Sequence, residues 1–124
     1  DYDTISVGRI DDHFATLALE AAPRLLARSQ AITRGNLQIL SDWIDTQPRL
    51  GWVRPQSGTT AFVRLDAPMT SREFCVDLLQ ETGVMFTPGS ALGVEGWLRI
   101  GYANAPDILR EGLRRTSAFL ARLP

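Results

Sequence analysis

Gly96-Trp97-Leu98-Arg99-Ile100-Gly101-Tyr102-Ala103 reads as a β-strand with an arginine set among apolar residues. Successive side chains on a strand point to opposite faces. Leu98, Ile100 and Tyr102 therefore face one way, and Trp97, Arg99 and Gly101 the other. The arginine leaves the sheet on the side away from the aliphatic residues, and Gly96 and Gly101 leave room beside it. A planar guanidinium in that setting can grip a carboxylate through two parallel hydrogen bonds. On periodicity alone, the commoner reading is an arginine on the wet face of an antiparallel sheet.

The segments around this strand set the fold class. Upstream, Val84 to Thr87 reads as a strand followed by the Pro88-Gly89 turn. Before it, a helix runs from Ser71 to about Thr82, with Phe74, Leu78 and Leu79 on one side. Ser71 or Thr70 can cap this helix, and Thr70 with Glu73 three residues later fits a capping box. Gly83 is its expected C-terminal stop. Two short strands precede it, near Gly51–Arg54 and Thr60–Leu65, and the turn-forming run Pro55-Gln56-Ser57-Gly58 joins them as a hairpin.

Two helices come first. One runs from Ile10 to about Glu20, capped by Ser6 or Asp11, and Pro23 breaks or restarts it. The second runs from about Arg24 to Thr46, with an apolar stripe at Leu37, Leu40 and Ile44. Downstream of the arginine strand, a last helix runs from Pro106 to near Leu123 with Leu109, Leu113 and Leu120 buried. The sum is an α+β fold: a small sheet with helices on one face, preceded by two helices.

Composition narrows the function classes. A length of 124 residues corresponds to one domain, residues 1–124, with room for one core. Hydrophobic content of 44% and charged content of 22% are ordinary for a globular chain. The net charge of −1, with acids and bases interspersed, gives no nucleic-acid footprint. The apolar runs are too short to cross a bilayer, so no membrane partner is expected. The single cysteine, Cys75, excludes an internal disulfide and fits a reducing, cytoplasmic compartment. All thirteen basic residues are arginine, and the chain has no lysine. It opens at Asp1 rather than Met, from which we expect sequence upstream.

The stretch from Gly83 to Leu113 resembles the C-terminal (small) domain of fold-type I aminotransferases of the class I/II family. That family's late motif is a Pro-Gly turn, a strand of the form Leu-Arg-Ile-Gly/Ser-Tyr/Phe, and a helix opening near a proline. Here these match Pro88-Gly89, Leu98-Arg99-Ile100-Gly101-Tyr102 and Asn104-Ala105-Pro106. The likeness reaches back to the lead-in Asp1–Ser6, the run Asp11–Leu19 and the hairpin segment Trp52–Phe62, so it covers nearly the whole chain. Where the family's hairpin carries a pair of small residues, this chain reads Gly58-Thr59-Thr60. That spelling resembles a branch with capreomycidine-synthase-like and arginine-oxidising enzymes.

The resemblance implies roles and partners. Arg99 binds the substrate α-carboxylate, and Pro88 and Gly89 shape the active-site wall. Apart from the resemblance, Thr59 and Thr60 are weaker candidates that can offer hydroxyls to substrate, although β-propensity alone also accounts for them. The cofactor is pyridoxal 5′-phosphate, which such enzymes hold as a Schiff base on a lysine amine. This chain offers no such amine, so the resemblance assigns the cofactor to a large domain absent from it. The expected partners are that large domain, an amino-acid substrate and, in the full enzyme, a second identical subunit. The chain alone is expected to be inactive. Two alternatives stay open: oxidation, hydroxylation or cyclisation of an arginine-like amino acid on the same scaffold, and a non-catalytic carboxylate-binding module.

The remaining polar residues are weaker candidates. Tyr2, Thr4 and Ser6 approach the cofactor if the lead-in follows the family path; a frayed terminus is the simpler reading. His13, beside Asp11 and Asp12, lacks the further ligands a metal site needs. Cys75 has no acid–base partner nearby and is expected to pack near Phe74 and Leu79. The Gly89–Gly93 turn does not follow the dinucleotide phosphate-binding fingerprint.

Overall fold

The computed structural model describes residues 8–124. The chain divides into two units, Asp1–Ala31 and Ile32–Pro124. In the first, helix α1 (Arg9–Glu20) begins after Gly8, which supplies no side-chain cap. Asp11, expected as a cap, lies inside the first turn, where its charge favours the helix N-terminus; Ser6 lies outside the described residues. Helix α2 (Ala22–Ile44) restarts after Ala21 with Pro23 in its first turn, where no intrahelical N–H is needed. Ile10, Phe14 and Leu17 recur at spacings of four and three along α1, and all three are exposed.

In the second unit, the C-terminal part of α2 leads into the sheet. Helix α2 ends two residues earlier than expected, because Thr46 and Gln47 donate to carbonyls three residues back and tighten the chain into turns. Strands β1 (Leu50–Trp52) and β2 (Thr60–Leu65) form the expected antiparallel hairpin, with Leu50 opposite Leu65 and Trp52 opposite Val63. Helix α3 (Ser71–Thr82) carries the capping box: Thr70 Oγ1 accepts from the Glu73 N–H, and the Glu73 carboxylate accepts from the Thr70 N–H. Gly83 closes it at φ 73°, a left-handed conformation that glycine adopts without Cβ strain.

Strand β3 is short, Thr87–Pro88, and runs into a 3-10 turn at Gly89–Leu92. Strand β4 (Trp97–Gly101) lies between β2 and β3 in an antiparallel sheet of order β1-β2-β4-β3. The strand expected from Val84 pairs only from Thr87 onward. Beside Val84–Phe86 lies a cavity of about 300 Å³ that Ile100, Gly101, and Ile108 and Leu109 of the last helix also line. Helix α4 (Pro106–Leu120) starts at its proline. It stops short of Leu123 as Arg122 and Leu123 donate to carbonyls three residues back.

One face of this sheet carries the core. Ala61, Val63 and Ile100 pack with Leu40 and Ile44 of α2 and with Leu109 and Leu113 of α4. Leu65 and Leu98 pack with Phe74, Cys75 and Leu78 of α3 and with Phe119 and Leu120 of α4. All three helices thus cover the same side, which is the α+β arrangement expected. Leu79 is a correction: it is exposed, and Cys75 takes the third position of the buried α3 stripe. Polar ties fix the layers. Trp43 Nε1 donates to Ser117 Oγ at 2.7 Å, joining α2 to α4. Buried Asn36 donates through Nδ2 to the carbonyls of Tyr102 and Asn104, both at 2.7 Å.

Candidate functional site

The second face of the sheet has no helix over it within this unit. Burial alternates along β4, with Leu98 and Ile100 buried and Arg99 and Gly101 exposed. Along β2, Ala61, Val63 and Leu65 are buried while Thr60 and Arg64 are exposed and Phe62 is half-buried. Thr60, Phe62 and Arg64 therefore share the open face with Trp97 and Arg99. The register sets Phe62 opposite Arg99, Arg64 opposite Trp97 and Thr60 opposite Gly101. Phe62 and Trp97 stack with ring centroids 5.0 Å apart and planes within 9° of parallel.

Arg99 stands at the centre of this face. Its Nη2 donates to Thr87 Oγ1 at 3.1 Å across the β3–β4 pair. None of the ion pairs among the described residues involves Arg99. Most of its five N–H donors are thus left to the open side. Arg64 is the second guanidinium there and lies over Gly51, where an added Cβ would come within 3.7 Å of it.

The other residues singled out in the sequence group unevenly around Arg99. Thr60 begins β2 two residues before Phe62, the cross-strand partner of Arg99, and on the same face, a diagonal neighbour about 7–8 Å away. Thr59 is exposed just before it, and its carbonyl accepts from the Tyr102 N–H at 2.9 Å. The Tyr102 hydroxyl donates to the Gly58 carbonyl at 2.8 Å, so the hairpin end is tied beside the end of β4. Pro88 lies opposite Leu98 at the other end of the strand. Gly89 is buried, and a Cβ there would come within 2.2 Å of the Val94 carbonyl oxygen and 2.6 Å of that of Trp97. The Pro-Gly turn is therefore glycine-dependent for close backbone packing. Tyr2, Thr4 and Ser6 lie outside the described residues.

The cavity beside Val84–Phe86 is a separate feature. Arg99 does not line it, and its rim carries Glu111, which hydrogen bonds to Arg114 and then Arg115 hold down to a pKa of about 2. His13 is exposed beside the Phe14 ring. Cys75 is buried, and desolvation pushes its thiol up to about 11, so it is not a poised nucleophile.

Three positioning residues escaped the sequence reading. Glu95 accepts from the backbone N–H groups of Ser71 and Gly96, at 2.6 and 2.9 Å, which holds its carboxyl below the usual range. Ser71 Oγ accepts from the Ser90 N–H, so the start of α3, the turn and the start of β4 are tied together. Asn36 is the second: its helical position carries no local signal of its bonds to residues 66 and 68 positions away. Thr87 is the third, a threonine before a proline with nothing local to announce an arginine partner.

The family model for aminotransferase class I and II matches residues 10–115. The chain belongs to this family. A PLP-dependent aminotransferase from Streptococcus suis 89-1591 superposes with a TM-score of 0.92 and 38% identity, over 100% of this chain and 33% of that one. Capreomycidine synthase from Streptomyces vinaceus is 29% identical over 118 residues, 94% of this chain and 30% of the relative. A PLP-dependent cyclase of known structure has a TM-score of 0.85 at 26% identity, covering 98% of this chain and 34% of that chain. This aminotransferase-family chain therefore spans about a third of the length of these relatives. No helix among the described residues is long and apolar enough to cross a membrane.

Replacing Gly89 by alanine drives a methyl group into two backbone carbonyls that cannot swing away. We expect Gly89→Ala to lower stability by about 1–3 kcal/mol, read as a drop in the urea midpoint at unchanged slope. A wild-type midpoint would show that the turn relaxes freely.

Proposed function

We propose that residues 1–124 are the C-terminal, small domain of a PLP-dependent aminotransferase acting on an amino acid, and that Arg99 clamps the substrate α-carboxylate. The observation that carries this reading is the position of Arg99: central on the uncovered sheet face, with no carboxylate of the described chain paired to it. Thr59 and Thr60 lie toward the Gly58 end, where their hydroxyls can donate to the substrate. Pro88 and Gly89 lie at the opposite end; Pro88 pairs with Leu98 on the core side, so the turn contributes its backbone to the wall we assign there.

Pyridoxal phosphate, when bound, supplies the electron sink of the reaction. With no lysine in the sequence, the residues of this chain do not fit its covalent attachment. We assign that attachment to a large domain of the same enzyme, in a cytoplasmic homodimer. The length of the relatives and the exposed stripe Ile10, Phe14 and Leu17 support a further partner surface. Within the assembled site, Arg99 acts by position. Two hydrogen bonds from one planar group fix the carboxylate plane and with it the direction of the bond from the carboxylate to Cα, and positioning of this kind carries a large part of a rate enhancement.

A second reading is favoured by the capreomycidine synthase and cyclase similarities: cyclisation or oxidation of an arginine-like amino acid, with Arg99 in the same role. Keto-acid exchange measured beside oxygen consumption on the complete enzyme separates the readings. Exchange without oxygen uptake supports transamination; oxygen uptake or a cyclic product without exchange replaces it with the second reading.

The clamp is tested by Arg99→Lys in the complete enzyme. A point charge replaces a two-pronged donor, so the loss of about one charge-assisted hydrogen bond should lower kcat/KM roughly 10- to 100-fold. Unchanged kinetics would remove Arg99 from the site.

A further inference from the structure

We infer that Thr87 is a positioning residue for Arg99, holding its guanidinium in the orientation that receives a carboxylate; the inference rests on the clamp reading above. An arginine on a bare sheet face has a long, flexible stem and must lose that freedom to bind. Here the freedom is already reduced from both sides. On one flank Thr87 is the cross-strand partner of Arg99, and its Oγ1 accepts from Nη2 at 3.1 Å. Threonine is stiff at χ1, and Thr87 is half-buried at the edge of the sheet beside the constrained Pro88-Gly89 turn. The acceptor is therefore well fixed.

On the other flank Phe62 is the cross-strand partner of Arg99. Its ring is held by the parallel stack on Trp97, at 5.0 Å, so Arg99 stands between neighbours on both flanking strands, Thr87 on β3 and Phe62 on β2. Thr87 occupies one donor of Nη2. Four N–H groups remain, enough for a two-pronged contact with a carboxylate. Thr87 need not touch the substrate; it acts by limiting where the guanidinium plane can lie.

Two variants of the complete enzyme test this: Thr87→Val, which keeps the shape and removes the acceptor, and Thr87→Ser, which restores it. The substrate is whichever of the twenty common L-amino acids the enzyme turns over best, and the control ligand is the amine that lacks its α-carboxylate. We expect Thr87→Val to raise KM about three- to ten-fold, the span of one ordinary hydrogen bond, with kcat changed less. Thr87→Ser should recover most of the loss, and inhibition by the decarboxylated amine should stay at the wild-type level. An unchanged KM in Thr87→Val overturns the inference, as does amine inhibition weakening in parallel with KM, which would mark general damage to the sheet edge. Arg99→Lys run alongside separates the two layers. If it raises KM while Thr87→Val does not, only the role of Thr87 fails; if neither does, the clamp itself fails.

Discussion

The alternation of β4 is the constraint on which the rest of the structure depends. Leu98 and Ile100 must enter the core, where each is buried against helices on one side of the sheet. A strand has a period of two, so burying these two leaves Arg99 no choice of face. A slip of one residue would place the guanidinium among aliphatic side chains, with the heavy cost of burying an unpaired charge. The packing that stabilises the domain is thus the same fact that presents the arginine. Tyr102 extends the arrangement: its ring is buried, its hydroxyl secures the Gly58 hairpin end, and its carbonyl receives Asn36.

The open face is chemically one-sided. It carries two arginines and a stacked aromatic pair, and none of the ion pairs among the described residues involves either arginine. Acidic partners elsewhere in the chain are engaged away from this face, as Glu111 is with Arg114 and Arg115, and Glu81 with Arg122. A cationic, partly aromatic surface without internal compensation suits an anionic group brought from outside. On the function proposed above, that anion is the substrate carboxylate, and a chain without lysine leaves covalent attachment of the cofactor to other polypeptide.

Much of this was legible in the residues because the signals are local. The Leu98-Arg99-Ile100 alternation, the Thr70–Glu73 capping box, Gly83 and the Pro106 helix start each operate within a few positions, and each stands as read. The misreadings arise where distant contacts decide. Leu79 has the hydrophobicity of a core residue, but Cys75 lies on the side of α3 that meets the sheet. Val84–Phe86 has strand propensity, but β4 is within pairing reach only from Thr87. At the site, Arg99 and Thr60 could be placed on one face by counting, whereas Thr87 could not be tied to Arg99 without knowing how β3 and β4 align. Glu95 likewise belongs to a network closed by Ser71, 24 residues away.

The central claim, that Arg99 receives the substrate carboxylate on the uncovered sheet face, is tested most directly by a crystal structure of the complete enzyme with its amino acid bound. The account predicts two nearly coplanar contacts of about 2.7–2.9 Å from the Arg99 guanidinium to the two carboxylate oxygens. A carboxylate held by another residue, with Arg99 turned to solvent, would contradict it.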